Sequence, residues 1–204
     1  MNFEELFISE EKPYKGKSQR DKFLSRIFGI INEEIIRIWC KNEKSRFEDL
    51  GRPTIYDVDG RHYTLDFLLK DKETDDLFVA EMKCEIEYQK YKYFKLICCK
   101  QLEHHRKKRA FQLFLKLADK PGYYVVKCKG KEESVSGSVL VWGCTSENGI
   151  SEVKNDYSLS HVLSTEKIVE DLVDWQDPAF IEFINQYKKW SNQLFNGLLG
   201  NDFP

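Results

Sequence analysis

Three charged residues stand within apolar segments of the sequence, at spacings that could support metal chemistry. Asp66 lies in the segment YTLDFLL, and Glu81 and Lys83 lie in LFVAEMKCE. Because side chains alternate across a β-strand, Glu81 and Lys83 would share one face of the second segment. A chain reversal near residues 73–74 would place Asp66 opposite Glu81. Two carboxylates and one ammonium group would then share a small volume.

Such a set is suited to a divalent cation. Mg²⁺ prefers carboxylate oxygens and keeps several of its waters, so one or two carboxylates are enough to hold it. A water bound to the ion becomes more acidic and can attack phosphorus. Lys83 could position that water or stabilise the charge that develops on the phosphate. We therefore predict a metal-dependent hydrolytic centre at Asp66, Glu81 and Lys83.

An alternative interpretation is a cross-strand ion pair on a solvated sheet face. The residues next to the charged positions are apolar, with Leu65, Phe67 and Leu68 beside Asp66 and Val79 and Ala80 before Glu81. A charge inside such a strand is costly unless it is paired or binds a metal. This cost favours the metal site.

The hydrophobic pattern predicts the elements that must position these residues. Apolar residues that recur every three or four positions predict a helix from Lys22 to Lys44. Alternating apolar residues predict three strands over 54–84 that form an antiparallel meander, with a turn at Asp59-Gly60. Beyond the meander we expect a helix over 96–117, strands over 123–128 and 139–144, a polar loop over 146–160, and helices near 161–175 and 178–199. This order predicts an α/β layered domain.

The motif and the order of elements resemble a known family. Asp66, followed after a hairpin by Glu81-Met82-Lys83, is similar to the motif of the PD-(D/E)xK nuclease superfamily. The predicted elements match the nuclease-like core of that family over residues 20–145. The resemblance implies a three-layer restriction-endonuclease-like fold, in which helices flank a central mixed sheet that contains an antiparallel meander.

The resemblance also assigns roles to individual residues. It implies that Asp66 and Glu81 bind metal, that the Met82 carbonyl can supply another ligand, and that Lys83 is the catalytic lysine. Many members add a glutamate from the preceding helix, for which Glu34 is the first candidate, with Glu33 as its rival. The implied cofactor is Mg²⁺, for which Mn²⁺ can substitute.

The E-x-K pattern by itself is weak evidence, because it occurs three times in the chain. The three copies are Glu10/Lys12, Glu81/Lys83 and Glu152/Lys154. The first copy falls in a polar loop and the third in a segment that we predict to be a loop. Only the middle copy follows an apolar strand, a hairpin and a partner aspartate.

Basic residues are concentrated directly after the motif. Residues 86–109 contain eight Lys and Arg against two acids, in a chain of net charge −2. Lys and Arg can hold phosphates and the interleaved aromatic residues can stack on bases, whereas a solvated helix face is the simpler interpretation of each residue taken singly. The residues predicted to bind DNA are Lys90, Lys92, Lys95, Lys100, Gln101, Arg106, Lys107 and Arg109.

Composition limits the other possibilities. A net charge of −2 excludes a protein that coats nucleic acid by bulk charge. We expect no membrane span and no signal peptide, because long apolar stretches are absent from the sequence. The six cysteines include no CxxC pair, which predicts reduced thiols in a cytoplasmic protein. His104 and His105 are adjacent and would point to different helix faces, so we do not expect them to bind one zinc ion.

The C-terminal segment is rich in aromatic residues. We expect residues 1–204 to form a single domain, in which a helical extension over 160–200 follows the core. Its large aromatic side chains are more numerous than one small sheet face needs as cover, and they include Trp175, Phe183 and Trp190. The extension either packs on the core or forms a homodimer interface, and two-fold symmetry would suit cleavage of both DNA strands.

These observations predict a Mg²⁺-dependent DNA endonuclease that acts in restriction, defence or repair. One alternative is a catalytically inactive DNA-binding or assembly module of the same fold. Another is that the resemblance is accidental, in which case the basic segment 89–109 would bind acidic protein partners without metal.

Overall fold

The computed structural model describes residues 19–87 and 92–200 of the 204-residue chain. The helices are α1 (Gln19–Lys41), α2 (Arg109–Asp119), α3 (Glu147–Tyr157), α4 (Thr165–Asp174) and α5 (Pro178–Leu198). The strands are β1 (Phe47–Asp49), β2 (Thr54–Tyr56), β3 (His62–Thr64), β4 (Phe67–Asp71), β5 (Leu77–Met82), β6 (Ile86–Glu87), β7 (Lys92–Tyr93), β8 (Lys95–Leu96), β9 (Val125–Cys128), β10 (Lys131–Glu133), β11 (Gly137–Trp142), β12 (Cys144–Thr145) and β13 (His161–Ser164). Short 3-10 turns occupy Cys99–Leu102, His105–Lys107 and Pro121–Tyr123.

A five-stranded mixed sheet lies at the centre of the fold, in the order β1-β4-β5-β11-β13. Strand β4 is antiparallel to both β1 and β5, whereas β5, β11 and β13 are parallel to one another. Every residue of β11 is buried, as expected for a central strand that is covered on both faces. The predicted α/β class with a mixed sheet is therefore confirmed.

Two apolar clusters cover the two faces of this sheet. Along β5, Phe78 and Ala80 belong to the cluster that includes residues of α1, α4 and α5. Val79, between them, belongs to the cluster that includes residues of α2 and α3. The alternation of side chains along one strand thus supplies both cores, and the sheet lies between two helical layers.

The antiparallel meander differs from the one predicted over 54–84. Its first strand is β1, and β2 and β3 instead pair with each other and with β9 in a separate four-stranded sheet. The strand expected from His62 to Leu69 is broken between β3 and β4, where Leu65 donates a backbone hydrogen bond to Pro53. The break lets the chain pass from one sheet to the other immediately before Asp66.

Three further elements differ from the prediction. The helix expected over 96–117 is formed only as α2, after two 3-10 turns. The segment expected as a polar loop over 146–160 contains α3, whose N-cap Ser146 accepts a hydrogen bond from the Gly149 amide. The start of the helix expected near 161–175 is β13, which pairs with β11.

Helix α5 closes the described chain. Asp177 caps it by accepting a hydrogen bond from the Phe180 amide, and Pro178 occupies its first turn. Phe183 is buried, but several large apolar side chains of this helix are exposed, namely Ile181, Ile184, Trp190, Leu194, Phe195 and Leu198. Within residues 19–87 and 92–200, no helix combines the length and hydrophobicity required to cross a membrane.

Candidate active site

Asp66, Glu81 and Lys83 meet where β4 begins and β5 ends. Phe67 pairs with Ala80 in the antiparallel register of these strands, so the next step along both chains sets Asp66 beside Glu81. Lys83 follows β5 directly. The alternation that puts Val79 on the α2 side of the sheet puts Glu81 and Lys83 on that side as well. The structure thus brings the three predicted residues together.

The Asp66 carboxylate is held through one of its oxygens. Oδ2 accepts a 2.8 Å hydrogen bond from the Met82 backbone amide. Oδ1 lies 3.5 Å from Nη2 of Arg52, whose side chain is about half exposed. The backbone therefore fixes one oxygen of Asp66. A cation could bind the other oxygen, Oδ1, if it displaced the Arg52 side chain.

The Glu81 carboxylate is buried, with only 8% of the residue exposed. Oε1 contacts the Lys83 ammonium, whereas Oε2 is buried and has no hydrogen-bond partner among the described residues. Burial raises the pKa of Glu81, the Lys83 charge opposes that shift, and the Asp66 charge adds to it. A buried carboxylate oxygen without a hydrogen-bond partner is costly, and a cation bound there would offset that cost.

The Lys83 ammonium is held at the same place. Nζ contacts Glu81 Oε1, donates a 3.0 Å hydrogen bond to the Met82 carbonyl, and lies 5.8 Å from the centre of the Phe111 ring. Its own backbone amide donates to Val141 on β11. The Met82 carbonyl, which the resemblance implied as a metal ligand, thus accepts a hydrogen bond from Lys83.

Two glutamates of α1 face a pair of arginines near this site. Arg37 bonds Glu33 at 3.0 Å and Glu34 at 3.4 Å. Arg52 lies between Glu33, at 4.0 Å, and Asp66. Arg37 therefore holds both glutamates, and Glu33, the rival candidate, is in addition linked to Asp66 through Arg52. Arg52 was missed by sequence reasoning, because nothing in the segment Gly51-Arg52-Pro53 points to the motif.

The residues predicted to bind DNA differ in exposure to solvent. Lys90 lies outside the described residues. Lys92 and Lys95 are partly buried, and Lys100, Arg106 and Lys107 are exposed. The three exposed residues lie within the two 3-10 turns Cys99–Leu102 and His105–Lys107, and not on the face of the predicted helix.

Gln101 and Arg109 have partners within the protein. The Gln101 side chain accepts hydrogen bonds from the amides of Ile97 and Cys98 and donates one to the Lys95 carbonyl. Arg109 forms an ion pair with the buried carboxylate of Asp57. Both side chains thus stabilise the local chain.

A second cluster of metal-ligating side chains lies beyond Lys83. Glu85, His104 and His105 place one potential ligand atom each within 4.8 Å of one another, and such a group could hold a metal ion. The expectation that the two histidines diverge was wrong, because the segment forms 3-10 turns in place of a continuous helix. Both rings instead reach the same carboxylate oxygen.

Comparisons of the chain with protein-family models, with curated proteins and with solved structures found no match.

Proposed function

We propose that this protein is a Mg²⁺-dependent DNA endonuclease that hydrolyses phosphodiester bonds. The observation that carries the proposal is the convergence of Asp66, Glu81 and Lys83 at the junction of β4 and β5, where Glu81 Oε2 is buried without a hydrogen-bond partner among the described residues. Two adjacent carboxylates can bind a divalent cation, and a fixed ammonium group can stabilise the charge that develops in phosphodiester hydrolysis.

The order of elements supports a restriction-endonuclease-like fold. Helix α1 precedes the meander of β1, β4 and β5, and α2 and the parallel strand β11 follow it. The PD-(D/E)xK superfamily, which the motif resembles, has the same succession of helix, meander, helix and strand. The two carboxylates lie in this meander, before its second strand and at the end of its third, which agrees with a motif carried by the meander.

The donor set fits a hard divalent cation. Asp66 Oδ1 and Glu81 Oε2 are the carboxylate oxygens that neither the Met82 amide nor the Lys83 ammonium occupies. Mg²⁺, or Mn²⁺ in its place, binds such oxygens and keeps several waters. When bound, the ion would supply a more acidic water and a positive charge beside the phosphate.

The protein's own contribution is to fix charge in position. Lys83 is held by Glu81 and by the Met82 carbonyl, so its ammonium does not have to reorganise when negative charge develops on a phosphate oxygen beside it. Arg52, about half exposed beside Asp66, can turn to a phosphate once a cation replaces it there.

The basic surface supports DNA as the substrate. Lys100, Arg106 and Lys107 are exposed, and Lys92 and Lys95 lie nearby in the chain. Contacts of this kind release counterions from the phosphate backbone, so binding should weaken steeply as salt increases. Restriction, defence or repair would suit this activity, and a reducing cytoplasmic compartment would suit the six free cysteines.

The exposed face of α5 supports a homodimer. Trp190, Leu194 and Leu198 are large apolar side chains on the outside of this helix, and such side chains on one face are typical of an interface. A two-fold dimer would present one active site to each DNA strand.

The proposal is tested by incubating the wild-type protein with plasmid, linear duplex and single-stranded DNA in Mg²⁺, Mn²⁺ or EDTA. We expect cleavage that requires the metal. Salt-sensitive DNA binding without cleavage, together with no effect of Mg²⁺ on thermal unfolding, would contradict the proposal and favour the inactive binding module.

A further inference from the structure

A cluster of one carboxylate and two imidazoles follows the candidate active site along the chain. Glu85 is two residues beyond Lys83, and its Oε1 contacts Nε2 of His104. Nε2 of His105 lies 3.1 Å from the same oxygen. The two imidazole rings are 3.9 Å apart between their centres. Three side chains from two separate segments therefore converge at one point.

The histidine of this cluster that is buried, His105, is under-satisfied in hydrogen bonds. His105 is only 6% exposed, and within the described part of the chain neither of its ring nitrogens has a hydrogen-bond partner. Nε2 is in ion-pair contact with Glu85 Oε1 at 3.1 Å, whereas Nδ1 on the other side of the ring has no hydrogen-bond partner among the described residues. The ring packs against Phe111, with 5.6 Å between ring centres. A buried polar group in this state needs an explanation, and a bound ion is one of the recognised explanations.

We propose that Glu85, His104 and His105 bind one Zn²⁺ ion or a similar late transition-metal ion. Two imidazoles and one carboxylate are a donor set used by zinc sites that keep a fourth position open. Ligand atoms at roughly 2.0–2.1 Å from a tetrahedral ion stand about 3.3 Å from each other. The 3.1 Å separation of the His105 and Glu85 atoms is close to that spacing.

The donor types separate this site from the one at Asp66 and Glu81. Imidazole nitrogen favours zinc and its neighbours in the transition series, whereas carboxylate and water oxygens favour magnesium. The Phe111 ring contacts both sites, because it lies against the Lys83 ammonium as well as against His105. The chain would thus hold two adjacent sites of different metal preference.

The ion would be reached from a pocket of about 410 Å³. Glu85 and His104 line this pocket together with Lys100, Gln101, Glu103 and Lys107. A fourth ligand, such as water, can therefore enter from solvent. The bound ion would also tie the two 3-10 turns to the chain after β5, and these turns carry the exposed basic residues.

The proposal is tested by zinc binding to the full-length, reduced protein after removal of metals with a chelator. We expect saturable Zn²⁺ binding, measured by calorimetry in a large excess of Mg²⁺. His104→Gln and Glu85→Gln should each weaken that binding at least about tenfold, since even the outer partners of a metal ligand are worth roughly 10- to 100-fold in affinity. His104 is about half exposed, so its substitution should leave the fold intact.

Matched variants keep the test specific. His62→Gln removes an exposed histidine of β3, and Asp66→Asn alters the other site, so both should bind Zn²⁺ as the wild type does. Binding of Co²⁺ should give the visible spectrum of a tetrahedral site in the wild type but not in His104→Gln. The proposal is overturned if the wild type binds no Zn²⁺, or if Asp66→Asn loses it while His104→Gln and Glu85→Gln do not. Because none of these measurements requires DNA cleavage, a failure here is distinct from a failure of the proposed nuclease activity.

Discussion

The Met82 backbone amide donates a 2.8 Å hydrogen bond to Oδ2 of Asp66, and this bond joins the end of β5 to the residue before β4. It fixes the orientation of the Asp66 carboxylate without using a side chain. Oδ1 is left beside Arg52. The Met82 backbone, at the end of β5, thus orients the Asp66 carboxylate, which lies immediately before β4.

Asp66→Asn should separate metal binding from folding. An amide oxygen can still accept the bond from Met82, so we expect the free energy of unfolding without metal to change by less than about 1 kcal/mol. The charge that attracts Mg²⁺ is lost, and the increase in Tm with added Mg²⁺ should disappear. Asp119→Asn, which alters an exposed carboxylate at the end of α2, should keep that increase. An Asp66→Asn protein that Mg²⁺ still stabilises would contradict the assignment.

Glu81 should make the metal-free protein less stable as pH rises. Burial raises its pKa above the ordinary value of 4.5, so the folded state binds this proton more tightly than the unfolded state does. Stability is therefore lost as pH rises from about 4.5 through the raised folded pKa. Glu81→Gln should remove this fall and be the more stable protein at neutral pH. Urea unfolding of both proteins across a pH series measures how the free energy of unfolding depends on pH. A wild type that is at least as stable as Glu81→Gln at neutral pH would argue against the raised pKa of Glu81.

Asp71 should make the protein less stable as pH falls, which is opposite to the effect of Glu81. Its buried carboxylate accepts hydrogen bonds of 2.9 and 2.7 Å from Nε and Nη2 of Arg46, and this guanidinium lowers the pKa of Asp71. The stabilisation is present above the unfolded pKa and is lost as pH falls through the lower folded pKa. We expect Asp71→Asn to cost about 2 kcal/mol at neutral pH. Glu73→Gln, whose exposed carboxylate lies 3.7 Å from Arg46, should change stability by less than about 0.5 kcal/mol. Equal effects of the two substitutions in denaturant unfolding would refute this ranking.

Two glycines in helices should respond to alanine with opposite signs. A Cβ on Gly149, in the first turn of α3, would lie 2.2 Å from the Leu96 carbonyl oxygen, so Gly149→Ala must push the helix away from β8. We expect a loss of about 1–3 kcal/mol. At Gly29 in α1 the described residues leave space for a Cβ, and Gly29→Ala should stabilise by up to about 1 kcal/mol. Thermal unfolding decides the matter, and a neutral or stabilising Gly149→Ala would contradict the close packing of α3.

The class of fold followed from the sequence, but several elements did not. The apolar spacing of α1 and the runs of β4, β5 and β11 are strong local signals. Strand β1 is only three residues long and lies in a polar segment, so its local sequence does not predict a strand. Its pairing with β4 stabilises it. Strand β13 is likewise defined by its partner β11. Helix α3 has a clear N-cap at Ser146, but it buries little beyond Gly149 and Val153.

The candidate site was predictable only where strand geometry determines it. A register that pairs Phe67 with Ala80 follows from the length of the turn, and it brings Asp66 to Glu81. The position of Arg52 and the convergence of Glu85 with His104 and His105 depend on irregular turns between elements. In such turns neither the two-residue period of a strand nor the 3.6-residue period of a helix applies. The conformation of such turns is set by distant contacts, such as those of Gln101 with the chain around it.

The most direct test of the nuclease assignment compares two lysines from the two described E-x-K patterns. Lys83 is held at Glu81 and the Met82 carbonyl, whereas Lys154 is exposed on α3. We would measure the rate of Mg²⁺-dependent DNA cleavage by the wild type, Lys83→Ala and Lys154→Ala at equal DNA occupancy. The assignment predicts that Lys83→Ala lowers the rate at least about a hundredfold and that Lys154→Ala cleaves as the wild type does. Cleavage that survives in Lys83→Ala, or that is lost equally in both variants, would contradict it.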